Sequence, residues 1–128
     1  LTRDAMLASA RRATGPAARE TAEEFPMIHV VAIITAKPGM RDAVLKEFRA
    51  NMPAVHAEKG CIEYGPAIDA EGMGAVQTAF GADTFVVIEK WATIDDLKAH
   101  GGAPHMKAYA GKVKDMLAGR VIHVLKPA

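Results

Sequence analysis

The stretch from Trp91 to Tyr109, WATIDDLKAHGGAPHMKAY, changes character three times, and those changes decide how the chain can fold. It reads as the end of a strand, a short helix, a Gly101-Gly102-Ala103-Pro104 break and the start of a second helix. Thr93 followed three residues later by Asp96 is a capping-box pattern that opens the first helix. Pro104 suits the first turn of the second helix, where its missing N–H costs no hydrogen bond. From there Met106, Tyr109, Ala110, Val113, Met116 and Leu117 recur on one face, which predicts a helix running to Gly119. The stretch holds the only Trp, two of the five His and one of the two Tyr.

Working outward, Thr84 to Trp91 alternates with period two: Phe85, Val87, Glu89 and Trp91 share one face, and Val86, Ile88 and Lys90 the other. Beyond the second helix, Arg120 to Leu125 reads as a last strand. Upstream, IHVVAIITA after Met27 is apolar at nearly every position, the pattern of a strand covered on both faces, and Lys37-Pro38-Gly39 ends it. From Met40 to about Lys59 the spacing turns helical, with Val44, Leu45, Phe48, Met52 and Val55 in one stripe. Pro53 is expected to kink that helix near Ala50 or Asn51, and Gly60 to close it in the left-handed conformation. Cys61 to Asp69 is a further strand with Pro66 at an edge or bulge. Glu71 to Asp83 reads as a long hairpin connection, with room for a short extra strand at Ala75 to Thr78.

The order β-α-β-β-α-β, with the second helical unit split at the Gly pair, is the ferredoxin-like α+β arrangement, an antiparallel sheet with helices on one face. The other face is expected to carry Met27, Val31, Ile33, Phe85, Val87 and Trp91. A water-exposed face of that kind calls for a cover, so a homodimer is expected, with two sheets packed face to face and a pocket in each subunit.

The 128 residues suit one domain, spanning 27–128, preceded by an arm over 1–26 that is poor in large apolar residues. No apolar segment follows Arg11-Arg12, so that pair is not read as an export signal. A formal net charge of +1 gives no case for nucleic acid or an anionic membrane as partner. No apolar run approaches the roughly 20 residues of a membrane span. Cys61 stands alone, which fits a reducing, cytoplasmic setting and excludes an internal disulfide or a thiolate metal cluster.

From Met27 to Ala128 the chain resembles the antibiotic biosynthesis monooxygenase (ABM) superfamily, and within it looks most like the YgiN-type quinol monooxygenases. The strand ending in AKPG, the segment GCIEYGPAID, VVIEKW, APHMKAY and a last strand closing on LKP carry the resemblance, which covers about four-fifths of the chain. The PHMKAY block and its spacing from Trp91 are specific to the subgroup, whereas the KPG and GC elements are shared more widely. The resemblance implies a dimeric α+β barrel, and oxidation of a quinol or similar electron-rich phenol by O2 without flavin, haem or metal. No phosphate loop, paired Cys or dinucleotide fingerprint stands in the chain, so no cofactor is expected. Haem-degrading relatives hold haem with an Asn on the first strand and a His in the late helix. Met27 to Lys37 contains no Asn and Met106 to Leu117 no His, so haem cleavage is not expected.

Such chemistry needs a base, an aromatic-lined cavity and exclusion of water. Two residues are candidates for the base. His105 follows Pro104 in a first helical turn, where the helix dipole favours a neutral imidazole; it serves either as base or as a loop cap. Glu89 shares a face with Val87 and Trp91; buried there it would become more basic, or it would pair with a cation across a dimer. For substrate contacts, Trp91 and Phe85 offer ring stacking, and Tyr64 a hydroxyl. Tyr109 lies on the late helix, and His100 at a helix end is a cap or a substrate contact. His100 and His105 have no obvious third ligand, so no metal site is expected. Two other functions fit the same scaffold: an isomerase or degrading enzyme for a small carbonyl compound, and a non-catalytic dimeric stress protein that binds small molecules.

Overall fold

Every second residue of the first strand is buried, and that alternation organises the rest. In the computed structural model, which describes residues 27–128, β1 spans Ile28–Ala36, with Ile28, Val30, Ala32, Ile34 and Ala36 turned into the core. The arm expected over residues 1–26 lies outside the described residues. Helix α1 (Arg41–His56) follows, then β2 (Cys61–Ala67), β3 (Thr84–Trp91), α2 (Ile94–Gly101), α3 (Pro104–Val113) and β4 (Leu117–Leu125). The strands form one antiparallel sheet in the order β2-β3-β1-β4, the arrangement expected for a ferredoxin-like α+β domain. No helix among the described residues is long and apolar enough to cross a membrane.

The strand register corrects one expectation. Ile28 pairs with Trp91, Val30 with Glu89, Ala32 with Val87 and Ile34 with Phe85. Directly opposed residues in an antiparallel pair point to the same face. Phe85, Val87 and Trp91 therefore lie under the helices and not on the opposite face with Val31 and Ile33. The face away from the helices carries Val31, Ile33, Val86 and Ile88, extended by Val121, His123 and Leu125 of β4. In β1 the sequence is apolar on both faces, so only pairing with β3 reveals which set meets the helices.

Phe48 of α1 is the centre of the core. Its ring stacks on Tyr64 at 5.1 Å and meets Phe85 and Tyr109 edge-on at 5.6 and 6.0 Å. Burying such a side chain contributes about 1.5–3 kcal/mol, and ring geometry of this kind adds to it. At the end of α1, Gly60 takes φ +78°, as expected for a left-handed cap, although the helix itself stops at His56. A Cβ at Gly60 would overlap the Asp96 carboxylate, so the glycine also lets the start of α2 pack against this turn. The cap of α2 forms as its sequence predicts: Thr93 Oγ1 accepts from the Asp96 N–H at 3.0 Å.

Two boundaries differ from the sequence pattern. Helix α3 ends at Val113, a single 3-10 turn follows, and β4 begins at Leu117, so Gly119 lies inside the strand. The Lys37 N–H donates to the Met116 carbonyl at 2.8 Å, and Ala36 pairs with Leu117 across a register shift. Strand pairing captures a segment whose apolar spacing also fits a helix. The second difference lies between β2 and β3, where no strand forms at Ala75 to Thr78. That region has a 3-10 turn at Gly74–Val76, and Asp69 ties the loop by accepting from the Phe80 and Gly81 N–H groups at 3.0 and 2.8 Å.

Candidate active site

The helix-facing side of the sheet is built in transverse rows. One row runs Tyr64, Glu89, Val30, Val124 across the four strands; the next runs Pro66, Val87, Ala32, Ile122. Val30, Val87 and Ala32 at the middle of these rows are short side chains. The helices meanwhile stand off on the bulk of Phe48, Leu97, Met106 and Tyr109. Between the two layers lies a cavity of about 750 Å³, within the range of small-molecule sites. Its floor includes Val30, Ala32 and Val87, its roof comes from α2 and α3, and β4 forms one side through Ile122 and Val124.

Among the polar residues that line this largely apolar space, Tyr64, Glu89 and His100 are buried, and Tyr109, Lys107, Lys114 and Arg120 stand nearer its rim. Glu89 is only 7 % exposed, and Oε1 accepts the indole N–H of Trp91 at 2.9 Å. Burial pushes its carboxyl above the ordinary carboxylate value. The Trp91 hydrogen bond and nearby His100 pull the other way, and Glu58 adds to the rise. Tyr64 has its hydroxyl pushed up, first by burial and then by the charge of Glu89, while burial pushes Tyr109 up to about 12. Both tyrosines therefore stay protonated and act as hydrogen-bonding groups, not as bases.

His100 packs its ring against Trp91 at a centroid distance of 4.7 Å and meets the edge of Tyr64 at 5.4 Å. Its Nδ1 lies 2.8 Å from Glu58 Oε2, and His105 Nε2 lies 2.8 Å from the same oxygen. Glu58 thus joins the two histidines, which the sequence treats as separate candidates. Nothing in the local pattern marks it. It sits in a polar turn after α1 and its partners are 42 and 47 residues away. The cue available was its position two residues before Gly60, whose left-handed turn folds back onto α2.

Of the residues singled out in the sequence, Glu89, Tyr64, His100 and Tyr109 line the cavity. Trp91 and Phe85 are fully buried behind its wall, where Trp91 holds Glu89 and His100 and Phe85 supports Phe48. His105 lines a smaller groove on the other side, with Glu47, Asn51, Tyr109 and Lys112. It bonds Glu58, which in turn bonds His100 of the cavity wall. Among the described residues, no group of three or more His, Cys, Asp or Glu side chains is disposed to hold a metal ion.

Comparison with known proteins agrees with this fold. The sequence family described as Antibiotic biosynthesis monooxygenase matches residues 27–112. The Escherichia coli K12 protein named "Probable quinol monooxygenase YgiN" is 39 % identical over 103 residues, spanning 79 % of this chain and 98 % of that protein. A crystal structure from Pseudomonas aeruginosa superposes with a TM-score of 0.67 at 26 % identity, covering 81 % of this chain and 95 % of the other. A conserved protein of Methanosarcina mazei shares the fold at a TM-score of 0.70 and 19 % identity, covering 84 % and 99 % of the two chains.

Proposed function

Since the chain belongs to the antibiotic biosynthesis monooxygenase family and is of the YgiN type within it, we propose that it oxidises a quinol, or a similarly electron-rich phenol, with O2 in the cavity beneath α2 and α3. Family membership supports a monooxygenase-type function; the quinol comes from the name of the Escherichia coli relative. One observation carries the reading to this site: a buried carboxylate, Glu89, faces an apolar cavity wide enough for a fused aromatic ring.

The chemistry asks for little more. A neutral quinol gives up an electron to O2 slowly and its anion far faster, so the decisive event is removal of a hydroxyl proton. Glu89 is the base in this reading. Desolvation makes its carboxylate more basic than an exposed one, and the Trp91 N–H holds one oxygen so that the other is free for the substrate. Electron transfer from the anion to O2 gives a semiquinone and superoxide, which combine as a ring peroxide. Glu89 returns the proton, and loss of water from the hydroperoxide leaves the new oxygen on the ring. Quinol and O2 become hydroxyquinone and water, with one oxygen atom in each product. The substrate supplies the electrons, and the apolar wall keeps water from the reactive intermediates.

A homodimer belongs to the same reading. The sheet face away from the helices leaves Ile88, Val121 and Leu125 between 41 % and 52 % exposed, beside half-buried Val31, Ile33 and Val86. A second copy of this face is its natural cover.

Oxygen uptake with a panel of reduced naphthoquinols and benzoquinols tests the proposal. Wild-type uptake is expected well above autoxidation, and Glu89→Gln is expected to lower it on the order of 10²-fold. Uptake equal to buffer across the panel would rule out the quinol reading.

A further inference from the structure

Glu58 and the two histidines on it have no part in the chemistry above, yet they form an ordered polar cluster against the cavity wall. His100 commits Nδ1 to Glu58 Oε2 at 2.8 Å, and Glu58 does not line the cavity. The ring edge left for the cavity therefore carries Nε2. A carboxylate oxygen only accepts, so the bond requires the proton on Nδ1 and leaves Nε2 as a lone-pair acceptor in the neutral ring. The ring cannot turn away easily, because Trp91 covers one side of it and Tyr64 meets it edge-on. From the outer side His105 Nε2 donates to the same Glu58 oxygen and anchors it. His100 and Glu58 are only 7 % and 13 % exposed at their side chains, so the bond between them is shielded from free water.

We propose that Glu58 is a positioning residue that fixes His100 as a second hydrogen-bond acceptor in the cavity, so that the site selects substrates with two hydroxyl groups over those with one. The inference rests on the quinol reading. Glu89 takes one hydroxyl, and His100 Nε2 accepts the other. A substrate with one hydroxyl methylated leaves a desolvated acceptor unpaired, and that penalty, not added attraction, produces the selectivity.

Two measurements test it. In the wild type, 15N chemical shifts of the His100 ring should report the Nδ1–H tautomer. Glu58→Ala should release the ring to the Nε2–H form, and Glu58→Gln, whose carbonyl oxygen can accept the same two bonds, should keep Nδ1–H. The second measurement is anaerobic binding of 1,4-dihydroxynaphthalene and its monomethyl ether, followed by quenching of Trp91, the only tryptophan. The diol should bind about tenfold or more tightly than the ether in the wild type and in Glu58→Gln. That preference should fall to near unity in Glu58→Ala, with the far-ultraviolet spectrum unchanged. An Nε2–H tautomer or a doubly protonated His100 ring in the wild type, or equal binding of the two probes, overturns the proposal. Preferential diol binding without oxygen uptake would instead refute the oxidation reading and leave the role of Glu58 intact.

Discussion

Glu89 stands opposite Val30 and Tyr64 in the sheet with the Trp91 indole on one oxygen, and its protonation links the chemistry to stability. Burial holds the proton on the folded carboxyl to a higher pH than in the unfolded chain, where the ordinary value is 4.5. Above that value the folded state binds more protons than the unfolded state. Stability is therefore full below 4.5 and falls as pH rises through the folded value, by about 1.4 kcal/mol for each unit of upward displacement. Glu89→Gln carries no charge at any pH and should remove this slope. Thermal melts of both proteins from about pH 4 to about pH 8 should show the variant gaining on the wild type as pH rises. A difference constant with pH would mean that Glu89 is not desolvated as the fold implies. Strand phase in the sequence already shows that Glu89 shares a face with Trp91. Glu58 is a different case, because its importance comes from two long-range partners and no local spacing encodes it.

Legibility at the scale of elements depends on whether the local pattern has a rival. β3 alternates Phe85, Val87, Glu89, Trp91 against Val86, Ile88, Lys90, and folds as it reads. β1 is apolar throughout, so nothing local says which face of β3 joins which face of β1; the expected outer face holds for Val31 and Ile33 but not for Phe85, Val87 and Trp91, which register places under the helices. The segment after Val113 satisfies both a helical stripe and a strand, and pairing with the end of β1 decides it. The turn after α1 has a clearer cause, which yields a comparison. Gly39 and Gly60 have nearly the same backbone, with φ +77° and +78°, but nothing lies within 4 Å of a Cβ at Gly39 whereas the Asp96 carboxylate fills that space at Gly60. Gly39→Ala should cost the backbone strain alone, about 1–2 kcal/mol. Gly60→Ala should cost distinctly more, since Asp96 must move and the 2.8 Å bond from the Ala92 N–H to the Gly60 carbonyl is put under strain. Urea unfolding of the pair measures this; equal losses would show that the contact of α2 with this turn is loose.

At the scale of the whole molecule the sheet has two unequal faces. The helix side covers a core and a cavity that opens towards β4, and the opposite side exposes an apolar strip. Val31 pairs with Ile88 on one flank and with His123 on the other; Ile33 pairs with Val86 and Val121. The strip therefore runs unbroken from β3 to β4, and β4 has no neighbour on its outer edge among the described residues. A strip of this kind in water favours association, and a two-fold pairing of identical faces satisfies it with one set of contacts. The prediction is a dimer in sedimentation velocity at micromolar concentration. The double variant Ile88→Lys with Val121→Lys places cations near the middle of the strip without touching the cavity side, because both residues point away from the helices. It should sediment as a folded monomer, since like charges brought together across a desolvated interface are strongly unfavourable. A variant that still dimerises would locate the interface elsewhere, and a wild type that sediments as a monomer would leave the strip without a partner of its own kind. Activity of the monomeric variant then bears on the cavity. Ile122 and Val124 form its β4 side while each remains about half exposed. If the second copy steadies β4, oxygen uptake should fall together with dimerisation although no residue of the cavity has changed.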